Sequence, residues 1–132
     1  MKKKVLIVDD ALFMRNYIKG ILEKNNFEVC AEAANAPEAV EKYKELKPDL
    51  VTMDIIMPRI EELDGVSAVK QIVQFDPDAR VIVISAIGDE PLVTQAIESG
   101  AKGFLVKPFK PERLIELTDT FFKEKRLWKK CR

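Results

Sequence analysis

Five residues carry the polar groups from which chemistry could be built, and they fall at comparable places: Asp9, Asp10, Asp54, Ser85 and Lys107. Each follows a short apolar run. Val5–Val8 ends at Asp9-Asp10, Leu50–Met53 at Asp54, Val81–Ile84 at Ser85, and Phe104–Val106 at Lys107. Three carboxylates gathered in one crevice repel one another, so at least one pKa must rise unless a cation intervenes. Lys107 supplies one positive charge, and a divalent ion would supply two. Asp9, Asp10 and Asp54 are hard oxygen donors with no nitrogen or sulfur partner nearby, a set that selects a magnesium-like ion which keeps several waters. A carboxylate is also a nucleophile toward phosphorus, and that step needs mainly positioning and charge neutralisation. On this reading Asp54 attacks, Asp9 and Asp10 hold the metal, Lys107 pairs one phosphoryl oxygen and Ser85 hydrogen-bonds another. Taken singly, each residue also reads as a helix cap or a turn, and Asp10 in particular fits a cap for the first helix.

The elements that must position these groups are legible from periodicity. Continuous β-branched runs read as strands buried on both faces of a parallel sheet. Phe13, Tyr17, Ile18, Ile21 and Leu22 recur at helical spacing, with Asn25-Asn26 as the stop. Phe27–Ala33 is a less apolar strand, nearer an edge. Asn35, Pro37 and Glu38 predict a capped helix with a capping box, carrying Val40 and Tyr43 and ended by Pro48. Val66, Val69, Ile72 and Val73 give a third helix, and Asp89-Glu90-Pro91 opens a fourth that Gly100 ends. Pro111 opens the last, with Leu114, Ile115, Leu117, Phe121 and Phe122. Five β-α units with short loops demand an α/β fold with a parallel sheet covered on both faces. Polar groups at the carboxyl ends of such strands share one rim, the usual place of a site.

Composition removes several function classes. The chain has 132 residues, the length of one domain. It has no histidine, which excludes Ser/His and Cys/His catalytic pairs and His-ligated metals. Lys plus Arg and Asp plus Glu are both 22, so no net charge draws the chain to nucleic acid or anionic lipid. Cys30 and Cys131 form no CxxC pair, and a reduced cytoplasmic setting fits them. The apolar run after Met1 is too short for a signal peptide, and no stretch has the length of a membrane span.

The ordered set Val5-Leu6-Ile7-Val8-Asp9-Asp10, Met53-Asp54-Ile55-Ile56-Met57-Pro58, Val83-Ile84-Ser85-Ala86 and Lys107-Pro108-Phe109 resembles the receiver domains of two-component response regulators, of the single-domain kind. Asp9 through Arg15 further resembles the chemotaxis-type members. The resemblance implies a flavodoxin-like (βα)5 doubly wound sheet with strand order 2-1-3-4-5. It implies Asp54 as the phosphoacceptor, and Mg2+ held by Asp9, Asp10, Asp54 and the main-chain carbonyl of Ile56. Ser85 becomes the switch hydroxyl, Lys107 the conserved-type lysine, Lys107-Pro108 a cis peptide, and Phe104 the aromatic switch on the fifth strand. A partner histidine kinase supplies the phosphoryl group. A protein target binds the face made by the fourth helix, fifth strand and fifth helix, and neither nucleic acid nor membrane is a direct partner. The chain is then a signalling phosphoacceptor that catalyses only its own phosphorylation and dephosphorylation.

Three features depart from the pattern or extend it. Arg59-Ile60-Glu61-Glu62-Leu63 stands between Met57-Pro58 and Asp64-Gly65, making the loop beside Asp54 about three residues longer than in the family, a change that costs little in closure entropy. It reads as a benign surface insertion; the alternative is that Glu61 and Glu62 shape access or meet a partner. Ile56 and Ile87 stand where receivers flank the hydrolytic water, which predicts slow self-dephosphorylation. The receiver spans 1–122, and residues 123–132 form a basic extension with six cations and one acid, read as a solvated tail or a partner-binding extension. A phosphorelay intermediate or a fragment of a larger regulator is the alternative pathway. Other classes remain. A flavin-binding flavodoxin-like protein would need a phosphate cradle where Asp9-Asp10 stands. An Asp-nucleophile phosphohydrolase and a scaffold that never takes phosphate are the others.

Overall fold

The computed structural model describes residues 2–122. The basic 123–132 segment, with Trp128 and Cys131, lies outside the described residues. Ten elements alternate strictly: β1 Lys3–Val8, α1 Leu12–Glu23, β2 Phe27–Ala33, α2 Ala36–Leu46, β3 Leu50–Asp54, α3 Gly65–Phe75, β4 Val81–Ala86, α4 Glu90–Glu98, β5 Gly103–Lys107 and α5 Pro111–Phe122. The strands pair in parallel in the order β2-β1-β3-β4-β5. That is the order the resemblance implied, with β2 at an edge as its weaker hydrophobicity suggested. Among the described residues no helix is long and apolar enough to cross a membrane.

The continuous apolar runs follow from burial on both faces, because successive strand side chains alternate. Leu6, Val8, Val51, Met53, Val81 and Val83 pack under Tyr43, Val69 and Ile72 on the α2–α3 face. Val5, Ile7, Leu50, Ile82 and Ile84 pack under Ile18, Leu22, Leu114 and Ile115 on the α1–α5 face. Edge strand β2 carries an irregularity: Val5 pairs with Val29 and Leu6 with Ala31, so Cys30 is the extra residue, a bulge that twists an open edge.

Local chemistry at the helix ends matches expectation with three corrections. Asn35 caps α2 by accepting from Glu38 N–H at 2.9 Å. Glu38 does not close the box on Asn35 but accepts from Ala34 N–H, one residue earlier, at 3.3 Å. Phe13, assigned to the apolar stripe of α1, is 80% exposed. It lies in the first turn of α1, while Met14 and Tyr17 pack inward. Asp10 does not cap α1: the N-cap is Ala11, with no side-chain bond. Asn26 (φ 70) and Gly100 (φ 115) take the left-handed conformation at the stops read for α1 and α4.

Candidate functional site

Alternation also sets the site. Asp9, one residue past β1, continues the parity of Val5 and Ile7; Asp54 continues that of Leu50; Lys107 continues that of Leu105. All three therefore reach the α1–α5 side of the rim. Carboxylate oxygens of Asp9, Asp10 and Asp54 lie within 4.8 Å of one another. Lys107 Nζ stands 3.3 Å from Asp9 Oδ2 and 3.5 Å from Asp54 Oδ2, bridging the two buried acids. Lys107-Pro108 is cis, as the resemblance implied.

Asp9 is held at every polar atom. Its N–H donates to Ala33 O at 3.0 Å, and its carbonyl accepts from Arg15 Nη1 at 2.7 Å. Its Oδ1 accepts from Ala11 N–H at 2.9 Å, and Oδ2 takes Lys107. Asp54 Oδ1 accepts from Ile56 N–H at 2.9 Å. Asp10 is exposed. Burial pushes the Asp54 carboxyl up to about 6, and the Asp9 charge adds to the rise, while the Ile56 N–H and Lys107 oppose it. The rise has the direction expected of crowded carboxylates, but burial rather than the neighbouring charges is its main cause. An all-oxygen donor set with an unneutralised buried acid fits a hard dication such as Mg2+.

The two remaining members of the predicted constellation lie differently. Ser85 is buried, and its hydroxyl donates to Leu105 O at 3.4 Å, along the sheet toward β5. Phe104 is 50% exposed at the β5 edge. Ser85 pairs with Val106 across the ladder, so Phe104 and the Ser85 hydroxyl are both set by the same β4–β5 register.

Two contributors were not assigned a part from sequence, and a third was read without its geometry. Gly65 opens α3 against the end of β3: a Cβ there would stand 2.6 Å from Ile55 Cα and 2.8 Å from Asp54 O. Those are main-chain atoms that cannot swing aside. Gly65→Ala is expected to lower stability by about 1–3 kcal/mol and to displace Asp54; urea unfolding checks the first and a crystal structure of the variant the second. Arg15 and Glu32 form the second contribution, the bracket on Asp9. The only sequence signal for it was Arg15 inside the Asp9–Arg15 stretch.

The third is the extra loop. Ile60 N–H donates to Leu63 O at 3.0 Å and Leu63 N–H to Ile60 O at 2.9 Å. Between them Glu61 (φ 53) and Glu62 (φ 65) are both left-handed. This is a closed two-residue hairpin of the type that prefers Asn-Gly. The added length is absorbed inside the turn, and Asp64 still caps α3 through Ser67 N–H at 2.9 Å. The double change Glu61→Asn with Glu62→Gly is expected to raise stability by about 1–2 kcal/mol. A fall in the urea midpoint contradicts it.

Comparison with known proteins shows the family of the chain. The family model for the response regulator receiver domain matches residues 5–119. The chain is similar to the chemotaxis protein CheY of Thermotoga maritima, 57% identical over 116 residues, which are 88% of this chain and 94% of that one. It is 58% identical to the chemotaxis protein CheY of Bacillus subtilis over 116 residues, with the same shares, 88% and 94%. Among solved structures it resembles a chain of the CheX–CheY–BeF3–Mg2+ complex from Borrelia burgdorferi. That likeness has a TM-score of 0.83 at 39% identity and covers 91% of this chain and 89% of that chain.

Proposed function

The chain belongs to the response regulator receiver domain family, of the chemotaxis type, and on that premise we propose that Asp54 accepts a phosphoryl group from a partner histidine kinase in a Mg2+-dependent reaction. The observation that carries this is Lys107 bridging Asp9 and Asp54 beside Asp10, in a site whose central carboxylate is buried. Asp9, Asp10, Asp54 and the Ile56 carbonyl would hold Mg2+, which when bound supplies the charge neutralisation for a phosphoryl group arriving at a cluster of anions. One Asp54 carboxylate oxygen forms the new bond to phosphorus as the bond to the donor's imidazole nitrogen breaks, and the donor keeps that electron pair. Lys107 then leaves the bridge and pairs a phosphoryl oxygen.

Modification adds about −1.5 to −2 charges at Asp54. The Ser85 hydroxyl turns from Leu105 O to the new acceptor, and Phe104 moves inward into the space it leaves. The repacked α4-β5-α5 face binds the protein target. A groove of about 770 Å3 there, whose lining includes Ile97, Phe104, Val106, Lys110 and Arg113, supports that placement. The receiver limits of 1–122, the 123–132 basic extension and a cytoplasmic setting belong to the same reading. The flavin reading loses its support because Asp9-Asp10 would face the phosphate such a protein must cradle.

Intact mass spectrometry after incubation with a small acyl phosphate tests the proposal. One phosphoryl adduct is expected with Mg2+ and none in EDTA. An unmodified mass in Mg2+, or flavin absorbance in the purified protein, overturns it.

A further inference from the structure

Arg15 takes no part in the phosphoryl chemistry above, yet its guanidinium is fastened on two sides. Nε donates to Glu32 Oε1 at 3.0 Å and Nη1 to the main-chain carbonyl of Asp9 at 2.7 Å. The side chain is mostly buried. Glu32 is itself held: Lys19 stands 3.8 Å from its Oε2, and Lys42 donates to its main-chain carbonyl. The bracket thus joins α1, the end of β1 and the edge strand β2.

What it controls is the peptide between the two acidic residues. A peptide unit is planar. Fixing its carbonyl oxygen fixes the rotation of that plane about the line from Asp9 Cα to Asp10 Cα. Asp9 has other restraints: its N–H on Ala33 and its carboxylate on Ala11 and Lys107. Asp10 has fewer. Among the described residues no hydrogen bond or ion pair holds its carboxylate, and it does not cap α1. The direction in which Asp10 leaves the chain is therefore set by the two peptides that flank it: Arg15 holds the one before it, and Asp9 Oδ1 holds the one after it through the Ala11 N–H.

We infer that Arg15, locked on Glu32, is a positioning residue that aims Asp10 into the metal site and so sets the affinity for Mg2+. The inference rests on the reading of Asp9, Asp10 and Asp54 as Mg2+ ligands. It also has a sign that a purely electrostatic role would reverse. A guanidinium close to a dication site repels the ion, so removing it without loss of geometry tightens binding. Removing a positioning group weakens binding, and loss of such an outer partner typically costs tenfold or more in metal affinity.

The test is calorimetric titration of the full chain with MgCl2, in the absence of any phosphodonor. Arg15→Ala is expected to weaken Mg2+ binding by roughly tenfold. Arg15→Lys should fall between, because an ammonium reaches the Asp9 carbonyl or Glu32 but does not fork to both. Glu32→Gln should lose less than Arg15→Ala, since the amide oxygen still accepts from Nε. Lys19→Ala, which touches Glu32 but not Asp9, should keep the parent affinity. Far-ultraviolet circular dichroism at the titration temperature shows each variant folded; if Arg15→Ala is not, Arg15→Lys and Glu32→Gln decide. Unchanged or tighter binding in folded Arg15 variants overturns the inference while leaving the ligand reading intact. If the parent itself binds no Mg2+, or binds as well with Asp10→Asn, the ligand reading fails and the inference with it.

Discussion

An Asp54→Asn protein is expected to take up no phosphoryl group and, in EDTA above pH 6, to be more stable than its parent. The first half follows from chemistry: an amide oxygen is a poor nucleophile toward phosphorus, and no other buried carboxylate stands on the middle strand. The second follows from burial. The Asp54 carboxyl rises from 3.8 to about 6 in the folded protein. At about 1.4 kcal/mol per pKa unit, ionising it costs the fold about 3 kcal/mol when Asp54 is charged in both states. The sign is that of an acid with a raised native pKa: the folded state holds the proton to higher pH. The cost is absent below about pH 4 and is fully present above about pH 6. Asparagine keeps an acceptor for the Ile56 N–H and removes the charge. Urea unfolding across that range should show the variant's advantage growing as pH rises, and Mg2+ should stabilise the parent far more than the variant. An Asp54→Asn protein less stable than the parent at neutral pH contradicts the electrostatic account of the site.

The double change Ile56→Asn with Ile87→Glu is expected to shorten the life of the phosphorylated protein by tenfold or more. Water that hydrolyses a phosphoaspartate must approach phosphorus from the side opposite the Asp54 oxygen, and here that side is the open rim. Ile56 is 47% exposed and Ile87 82%, so their side chains stand where solvent enters. Neither offers a hydrogen bond to orient a water or accept its proton. A positioned general base such as a carboxylate contributes about 10²–10⁴-fold to such a step, and tenfold is a conservative share for groups added at exposed loop positions. Both positions lie outside the helices and strands that carry the core, apart from the Ile56 N–H, which any residue but proline supplies. The decay of the phosphoryl adduct, followed by mass after the donor is removed, gives the rate. Equal decay in parent and variant means these isoleucines only fill space.

The fold and the site were legible to different depths, for physical reasons. Runs such as Val5–Val8 and Val81–Ile84 need apolar residues on both parities because helices cover both faces of the sheet, so strands and layers followed from pattern alone. The shared rim followed from parallel strands ending in polar residues. What pattern does not encode is which local partner wins a polar group. Asp10 and Asp9 are equally good caps on paper, yet the Ala11 N–H goes to Asp9, and α1 starts without a side-chain cap. Phe13 fits the helical period of α1, but period alone does not say which residues of the first turn meet the core, and here Phe13 does not. The left-handed Glu61-Glu62 turn was hidden because neither residue favours that conformation. Gly65 and Arg15 act through contacts with main chain of the preceding strand end, at Asp54 and Asp9, and hydrophobic spacing does not report such contacts.

The most direct test of the phosphoacceptor reading is a crystal structure grown with Mg2+ and beryllofluoride. It should carry the fluoride group on Asp54 and the ion against Asp9 and Asp10. Ser85 Oγ should have left Leu105 O for a fluorine, and Phe104 should be buried. A bare Asp54 with Lys107 still bridging it to Asp9 would contradict the account at its centre.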